Sequence, residues 1–403
     1  MSHIVIAGGG IGGLATALSV VRNGHRATVL ERGDFTELGL GIQLAPNGIA
    51  ALDELGLGAA IRRIAVHVDE LRFFDGVLGR HVTSMPLTET YRRRFGYPYV
   101  VINRGELYRT LLDACRENPR ITLIGGMTAV GYQQTADTAA AVLDNGHTVE
   151  GDALIGADGV RSAIRRQLVG DGMPRVAGIT VYRAIVPMDR VPAEFRWNAV
   201  SWWAGPGRHF VHYPIAGGAH LNLAPSRETG VTEEFSGVPV TEAEVLAQFE
   251  PLCETARRLL ELGADWKSWS LIDRDPVPNW IDARVALLGD AAHPSLHYLA
   301  QGACQALEDA VALGELLDCA AREIPGRLLN YCARRREHTA RIQLAARDSI
   351  RLWHPAGPAA EARNAALSAL SESELHDHIE WLHRPRIGNP HVEQVVPDVL
   401  RKS

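Results

Sequence analysis

A glycine-rich turn near the amino-terminal end constrains the fold of this chain more than any other sequence feature. The turn at residues 8–13, GGGIGG, follows a short apolar run at residues 4–7 and precedes apolar residues that recur at helical spacing. A second predicted strand, at residues 27–30, is followed directly by Glu31. This order of strand, glycine turn, helix, strand and acidic residue is typical of a β-α-β unit that binds a dinucleotide.

Each part of this unit has a chemical role. Gly8, Gly10 and Gly13 match the three glycines of G-x-G-x-x-G, which allow a tight turn and let the backbone approach a pyrophosphate at the start of the helix. Glu31 is expected to accept hydrogen bonds from ribose hydroxyls, and we count the adjacent Arg32 with the cofactor-binding residues. The motif alone leaves open whether the dinucleotide is NAD or FAD.

Composition excludes several other classes of protein. Lys267 and Lys402 are the only lysines and neither follows a glycine, so the phosphate-binding P-loop is missing. The formal net charge of −6, from 41 basic and 47 acidic residues, argues against a nucleic-acid partner or an anionic membrane. No apolar run reaches the roughly 18 residues that a membrane span requires.

Cysteine usage and the amino-terminal sequence bear on the compartment. The five cysteines are odd in number and lack Cys-x-x-Cys spacing, which argues against a disulfide framework or a zinc site. The amino-terminal residues run directly into a predicted strand, without the basic and apolar regions of an export signal. We therefore expect a soluble cytoplasmic protein with reduced cysteines, and the sequence leaves open whether it is a monomer or a homodimer.

The 403 residues are enough for two or three domains, and their texture changes along the chain. Strand and helix patterns alternate in the first part, strands with aromatic residues dominate the second, and the α/β pattern then returns. We predict an α/β fold with a discontinuous Rossmann-like domain, residues 1–174 and 271–346. A mainly antiparallel β-sheet domain for the substrate, 175–270, is inserted, and a helical extension, 347–403, completes the chain.

A later strand predicts where a ligand would meet the sheet. The predicted strand at residues 284–288, RVALL, is followed by Gly289-Asp290, which brings a carboxylate to the carboxyl edge where ligands bind in such folds. Asp290 could accept hydrogen bonds from a polyol such as a ribityl chain. The helix that begins near Gly302 would point its positive end at a developing anion such as reduced flavin.

Three segments together resemble the class A FAD-dependent aromatic monooxygenases. They are the glycine turn with Glu31, the segment DGVRS at residues 158–162, and the segment GDAAHP at residues 289–294 with Gln301-Gly302 after it. They occur in the family's order and span most of the chain. The resemblance implies FAD as the cofactor, NADH or NADPH as the electron donor, and a small aromatic substrate with dioxygen.

The resemblance also assigns roles to individual residues of the cofactor site. FAD would be held by Gly8, Gly10, Gly13, Glu31, Arg104 and Asp290. The segment that begins at Asp158 would support both the FAD pyrophosphate and docking of the nicotinamide donor, with Arg161 and Arg165 as contributors. Pro294 and Gly302 would line the isoalloxazine.

Within that class, residues 202–218 resemble the salicylate hydroxylase and 3-hydroxybenzoate 6-hydroxylase subfamily. In a strand with a period of two, His209 and Tyr213 share one face while His212 takes the other. The family's catalytic histidine and tyrosine positions coincide with His209 and Tyr213. The alternative for His209, taken without the motif, is a core histidine with satisfied hydrogen bonds.

Four further histidines need an interpretation. His293 and His297 have the spacing of helical zinc ligands, but Pro294 disfavours a helix at His293, so we expect no metal. We place His297 in the substrate pocket with Gln43 and Gln301, where His297 or Gln301 would donate hydrogen bonds to a substrate carboxylate. His376 and His378, in the carboxyl-terminal region, are expected on the surface.

The resulting prediction is a flavin-dependent hydroxylase of a phenolic aromatic acid similar to 3-hydroxybenzoate or salicylate. His209 would act as the phenol base, Tyr213 would orient the ring, and a flavin C4a-hydroperoxide would supply the oxygen atom. A hydroxypyridine carboxylate or a natural-product phenol is an alternative substrate. An NAD-dependent dehydrogenase and a flavin-binding module without catalysis are more remote alternatives.

Overall fold

A computed structural model describes residues 1–36 and 39–387 of the chain. Its strands are β1 (His3–Ala7), β2 (Arg26–Leu30), β3 (Gly41–Leu44), β4 (Glu70–Asp75), β5 (His81–Pro86), β6 (Val100–Asn103), β7 (Ile121–Ile124), β8 (Ala129–Gln134), β9 (Ala139–Leu143), β10 (Thr148–Gly151), β11 (Ala153–Gly156), β12 (Arg175–Pro187), β13 (Ala199–Gly205), β14 (Arg208–Ile215), β15 (His220–Glu228), β16 (Ser236–Pro239), β17 (Lys267–Asp273), β18 (Ile281–Asp282) and β19 (Val285–Leu287).

The same residues form helices of very different length. They are α1 (Ile11–Arg22), α2 (Pro46–Glu54), α3 (Gly58–Ile64), α4 (Glu89–Phe95), α5 (Arg104–Arg116), α6 (Ala163–Leu168), α7 (Glu242–Phe249), α8 (Glu254–Leu260), α9 (Gly302–Leu317), α10 (Ile324–Asp348), α11 (Ile350–Trp353), α12 (Gly357–Ser368) and α13 (Glu372–His383). None of them, in the described part of the chain, combines the length and apolar character of a membrane span.

The glycine turn lies at the centre of a six-stranded sheet with the order β18-β19-β11-β1-β2-β7. β1 pairs in parallel with both β2 and β11, so that Ile6 lies between Val29 and Ile155. Most residues of these strands are apolar and buried, because α1 packs against β1 while the small sheet of β8, β9 and β10 contacts β1 and β11. The architecture confirms the predicted α/β fold and its β-α-β start.

Close backbone contacts in the turn explain two of its glycines. Gly8 has a φ of +107°, and a Cβ built on it would lie 2.3 Å from the Ala157 carbonyl oxygen. A Cβ on Gly13 would lie 1.9 Å from the Gly8 carbonyl oxygen. Larger residues at these two positions would push β1, α1 and the end of β11 apart.

The second large sheet has eight strands in the order β16-β17-β12-β15-β14-β13-β4-β5. Most neighbours are antiparallel, as predicted for the inserted domain, but β13 pairs in parallel with β4. β4 and β5 come from residues 70–86, which the sequence analysis assigned wholly to the nucleotide-binding domain. The sheet is therefore built from two separate parts of the chain, and the inserted segment alone does not form it.

The helical extension packs against the first part of the chain. His376 of α13 is buried against the rings of Tyr91 and Phe95, with ring centroids 5.5 and 5.8 Å apart, and burial lowers its pKa. The prediction of a surface position for His376 is therefore wrong. His378 lines the cavity described below. Residues 388–403 of the predicted extension lie outside the described residues.

A buried carboxylate joins α9 to α10 and to the segment after β19. Asp309 on α9 is fully buried, and its two oxygens lie 2.6 Å from Arg335 Nε and 2.6 Å from His293 Nε2. The Gly289 backbone N–H also donates to it, at 3.0 Å. Burial alone would raise the pKa of Asp309, but His293 and Arg335 outweigh that effect and hold the pKa below its usual range.

We expect Asp309→Asn to lower the free energy of unfolding by about 3 kcal/mol, because it leaves Arg335 buried without its main counter-charge. Glu315→Gln is the matched control: Glu315 and Arg334 also join α9 to α10, but both side chains are partly exposed and the pair contributes at most about 1 kcal/mol. Urea unfolding at pH 7 measures both changes.

The stability difference between the wild type and Asp309→Asn should depend on pH. Since the pKa of Asp309 is lowered by folding, its contribution is present at neutral pH and is lost as the pH falls below the ordinary carboxyl pKa of about 4. The difference between wild type and Asp309→Asn should therefore shrink in acid. A difference that stays constant from pH 7 to pH 3 would contradict this account.

Candidate active site

One cavity of about 890 Å³ joins the glycine turn to the inner face of the eight-stranded sheet. Gly10 and Asp290 line it at the parallel sheet, and His209, Val211 and Tyr213 line it from β14. A single cavity thus connects the predicted cofactor residues to the predicted substrate residues.

The end of the cavity at the parallel sheet has the properties of a dinucleotide cradle. Gly10 precedes the first turn of α1, and a Cβ built on it would have no heavy atom within 4 Å, so this side of the turn is open. Gly302 begins α9, and both helix ends bring their positive dipole ends to the same cavity. Arg104 lines it as well. These residues fit an anionic dinucleotide.

Asp290 lies on the cavity wall directly after β19. Its side chain is open to the cavity yet enclosed by protein, and this burial raises the pKa of the carboxyl group although His293 and Arg104 oppose the rise. A carboxylate in this position can accept hydrogen bonds from ligand hydroxyls, as predicted from its place at the end of a strand.

Six predicted cofactor residues lie outside the cavity lining, and two of them, Asp158 and Pro294, are described separately below. Gly8 and Gly13 allow the close backbone contacts that give the turn its shape. The Glu31 carboxylate accepts from the backbone N–H of Gly9 at 2.7 Å and of Gly33 at 3.0 Å, so it holds the turn against the end of β2. Arg32 is exposed next to it.

The Asp158 segment caps a helix. The Asp158 carboxylate accepts from the Ser162 hydroxyl at 2.5 Å and from the Ala163 N–H at 2.7 Å, at the start of α6, and burial raises its pKa. Its neighbour Gly159 lines the cavity. Asp158 itself therefore shapes the backbone that faces the cavity.

The two arginines assigned to nicotinamide docking differ sharply. Arg161 is exposed and pairs with Glu234. Arg165 is fully buried, where it binds Asp171 at 2.6 Å and donates to the Ala291 and Ala292 carbonyls at 3.0 and 2.6 Å. The docking role predicted for Arg165 is therefore wrong, because its guanidinium is enclosed within the protein.

Pro294 also differs from its prediction. It is buried behind the cavity wall, and its carbonyl accepts from Gln343 Nε2 at 3.3 Å. The wall itself is formed by the following residues, from Ser295 to Gln301, so the expectation that Pro294 lines the cofactor ring is not met.

The other end of the cavity contains the predicted histidine and tyrosine. His209 and Tyr213 lie on the cavity face of β14, while Phe210 and His212 pack in a separate aromatic core that includes Trp203. Burial lowers the pKa of His212 to about 3. The alternation predicted from the strand period therefore separates the two histidines as expected.

His209 is 2% exposed and neutral. Burial lowers its pKa well below the usual value, and the nearby His297 and His354 lower it further. Its Nδ1 lies 2.9 Å from His354 Nε2. His354 was not assigned a role from the sequence, because it lies 145 positions from His209 in the chain and no local pattern marks the contact.

Tyr213 belongs to a polar group on the opposite side of the pocket. Burial raises the pKa of its hydroxyl, while Arg183 and a hydrogen bond with Gln43 oppose the rise. Gln43 Oε1 in turn accepts from the Tyr99 hydroxyl at 2.5 Å. The structure thus brings the predicted residues Gln43 and Tyr213 together.

Two predicted pocket residues present unused polar groups. His297 Nε2 and Gln301 Nε2 are buried and have no hydrogen-bond partner among the described residues. Gln301 Oε1 already accepts from Asn47 and Gln305, at 2.9 and 2.8 Å, which fixes the amide. Buried polar groups are normally satisfied, so these atoms point to a polar ligand.

Arg183 is a cavity residue that the sequence analysis missed. It lies on β12, and its positive charge opposes the rise in the pKa of Tyr213 and adds to the effect of burial in lowering the pKa of His297. The sequence did contain a signal: Arg183 is a single charged residue on a strand face that it shares with the apolar residues Val181 and Ile185. Its charge favours an anion in this part of the cavity.

The fold and the cavity together define an FAD-dependent monooxygenase of the aromatic-hydroxylase class. Residues 1–346 match the family model described as FAD binding domain, and the chain belongs to this family.

Individual proteins agree with this assignment. The chain is 42% identical to 3-hydroxybenzoate 6-hydroxylase 1 of Aquipseudomonas alcaligenes over 386 residues, 95% of this chain and 97% of the relative. It is 33% identical to 3-amino-4-hydroxybenzoate 2-monooxygenase of Streptomyces cremeus, with 98% of each chain covered. A solved structure of Klebsiella pneumoniae HpxO complexed with FAD and uric acid superposes with a TM-score of 0.83 at 25% identity, covering 95% and 97%. The predicted family, cofactor and enzyme class are confirmed.

We expect Gly10→Val to abolish retention of FAD, because the side chain would occupy the open side of the turn. Gly326→Val is the control: an added Cβ there also meets nothing within 4 Å, but the residue is exposed on α10. Flavin absorbance per purified protein measures the effect. Normal flavin content in Gly10→Val would refute the assignment of the glycine turn to FAD binding.

Proposed function

We propose that this protein hydroxylates a phenolic aromatic acid, 3-hydroxybenzoate or a close analogue, with NADH or NADPH and dioxygen. The observation that carries the proposal is a cavity in which the neutral base His209 and the cation Arg183 lie on walls continuous with the dinucleotide cradle. The 3-hydroxybenzoate 6-hydroxylase relative, similar along nearly its whole length, supports the substrate class.

Bound FAD, once reduced by the nicotinamide donor, supplies activated dioxygen for transfer of one oxygen atom. Gly10, Arg104, Asp290 and Gly302 would hold it in the cradle, with Glu31 keeping the turn in place. The exposed Arg161 remains our candidate for docking the donor, together with the backbone near Asp158.

His209 would accept the phenol proton. Its Nδ1 is engaged by His354, so Nε2 is the nitrogen left for the substrate. Because burial lowers its pKa, the ring is in the base form throughout the neutral range. A phenolate is far more nucleophilic at its ortho and para carbons than the phenol, so this proton transfer prepares the ring for oxygen transfer.

The substrate carboxylate would be bound by donors on the other walls. Arg183 offers charge, and the unused Nε2 atoms of His297 and Gln301 offer hydrogen bonds. Tyr213, fixed by its contact with Gln43, would orient the ring by its hydroxyl. Two anchors and one base give the ring a single orientation.

Apolar residues enclose the rest of the pocket. Val211, Trp202 and Trp353 line it beside His209. Their role would be to exclude water, which otherwise promotes loss of peroxide before the oxygen atom is transferred.

The test is oxidation of NADH and NADPH by the FAD-loaded protein with 3-hydroxybenzoate, salicylate, aminohydroxybenzoates, 6-hydroxynicotinate and larger phenols. Product mass and peroxide are measured in parallel. We expect a hydroxybenzoate to accelerate oxidation and to gain one oxygen atom. If only a hydroxypyridine or a large phenol stimulates oxidation of the donor, the proposed substrate is wrong. If none of the compounds stimulates it, the proposed function is refuted.

We expect His209→Ala to keep FAD and lose about 10²-fold or more of the hydroxylation rate, because the phenol loses its base. His212→Leu, on the other face of the same strand, should retain the rate. Coupled product formation, measured by chromatography, distinguishes the two. Unchanged turnover in His209→Ala would remove this residue from the mechanism.

We expect Arg183→Gln to raise KM for a phenolic acid by about tenfold or more, since a hydrogen bond to a charged group contributes roughly 1.5–3 kcal/mol. A phenol of the same shape without the carboxylate is the control, and its KM should not change. Equal changes in KM for both compounds would argue against a carboxylate contact.

A further inference from the structure

A chain of hydrogen bonds leads from the candidate base to the protein surface. His209 Nδ1 lies 2.9 Å from His354 Nε2, and His354 Nδ1 lies 2.5 Å from Glu228 Oε1. Side-chain exposure rises along this chain, from 2% of His209 and 3% of the His354 side chain to 47% of the Glu228 side chain. The three groups therefore connect the buried pocket with water.

The backbone holds the chain in place. Gly207, in the turn between β13 and β14, donates its N–H to the His354 carbonyl at 3.0 Å, and its own carbonyl accepts from the Glu228 N–H at 2.8 Å. One residue thus fixes the positions of both partners of the relay. The rings of Trp353 and Tyr298 pack beside His209, with centroids 5.6 and 5.1 Å away.

The protonation states follow from the contacts. Ionised Glu228 accepts only, so His354 carries its proton on Nδ1 and offers Nε2 as an acceptor. His209 then carries its proton on Nδ1, donates to His354, and has Nε2 free to accept from a ligand. Every donor in the chain faces an acceptor in the direction of the surface.

We propose that His354 and Glu228 form a proton relay that carries the substrate's phenol proton from His209 to solvent. This inference rests on the proposed function. The phenol O–H bond breaks as a proton joins His209 Nε2, the Nδ1 proton of His209 passes to His354 Nε2, and the Nδ1 proton of His354 passes to the Glu228 carboxylate. Glu228 releases it to water, and a proton returning along the same path to the product restores the starting tautomers.

The electrostatics of the pocket explain why a relay is needed. Burial strongly disfavours a charged His209 ring, and His297 and His354 nearby lower its pKa further. The pKa of His354 is itself lowered by burial and by Arg208, against the opposing effect of Glu228. Passing the proton on leaves both histidines neutral, so the pocket holds the phenolate without a buried imidazolium.

The test uses the FAD-loaded, oxidised protein mixed rapidly with 3-hydroxybenzoate in weak buffer that contains a pH indicator. We expect proton release on binding in the wild type, and release and hydroxylation about 10²-fold slower in Glu228→Gln and His354→Gln. Glu233→Gln, an exposed carboxylate in the following loop, should match wild type. Glu228 is half exposed, so its substitution leaves the core intact.

Two further measurements separate a relay from a merely structural role. Affinity for benzoate, which has no phenol proton, should be unchanged in both variants. A ring-fluorinated 3-hydroxybenzoate that is already a phenolate at the assay pH should bring the ratio of variant to wild-type hydroxylation rates back to near one.

The outcomes are distinct. Wild-type rates of proton release in both variants, or an equal loss with the fluorinated substrate, would overturn the relay while 3-hydroxybenzoate turnover by the wild type keeps the proposed function. Failure of the wild type to hydroxylate any phenolic acid would overturn both.

Discussion

The ion pairs around Asp309 are the interaction on which the rest of the site depends. This one buried carboxylate binds a backbone N–H at Gly289, a ring nitrogen of His293 and the guanidinium of Arg335. It therefore fixes α9, α10 and the segment that carries Asp290 relative to one another. A buried carboxylate is stable only when it is fully paired, so the geometry of that cavity wall is determined by charge as well as by packing.

A second buried charge, the Arg165 guanidinium, joins two segments that are far apart in the sequence. Arg165 lies on the helix that Asp158 caps, and its guanidinium binds the carbonyls of Ala291 and Ala292, directly after Asp290. The Asp158 segment and the Asp290 segment are therefore held together by a residue that contacts neither the cavity nor the surface. Their joint presence in the sequence reflects a shared backbone scaffold.

Local patterns allowed much of this site to be predicted from the sequence, and contacts between distant segments account for the rest. The glycine turn and the alternation of His209 and Tyr213 are properties of single elements. The His354 contact joins residues 145 positions apart, which no local pattern reveals. Arg165 was misassigned because its role was carried over from the resemblance of the segment that begins at Asp158, and burial of its charge is visible only with all its partners in place.

The position of α13 allows one wall of the substrate pocket to change independently of the cofactor-binding residues. The match to the family model ends at residue 346, yet Leu375, Ile379 and Leu382 of α13 form part of the cavity wall. Substitutions on this helix can alter the size and shape of the pocket without touching the glycine turn or Asp290. The carboxyl-terminal helix thus gives the FAD-binding scaffold an adjustable wall on which a different aromatic substrate can be accommodated.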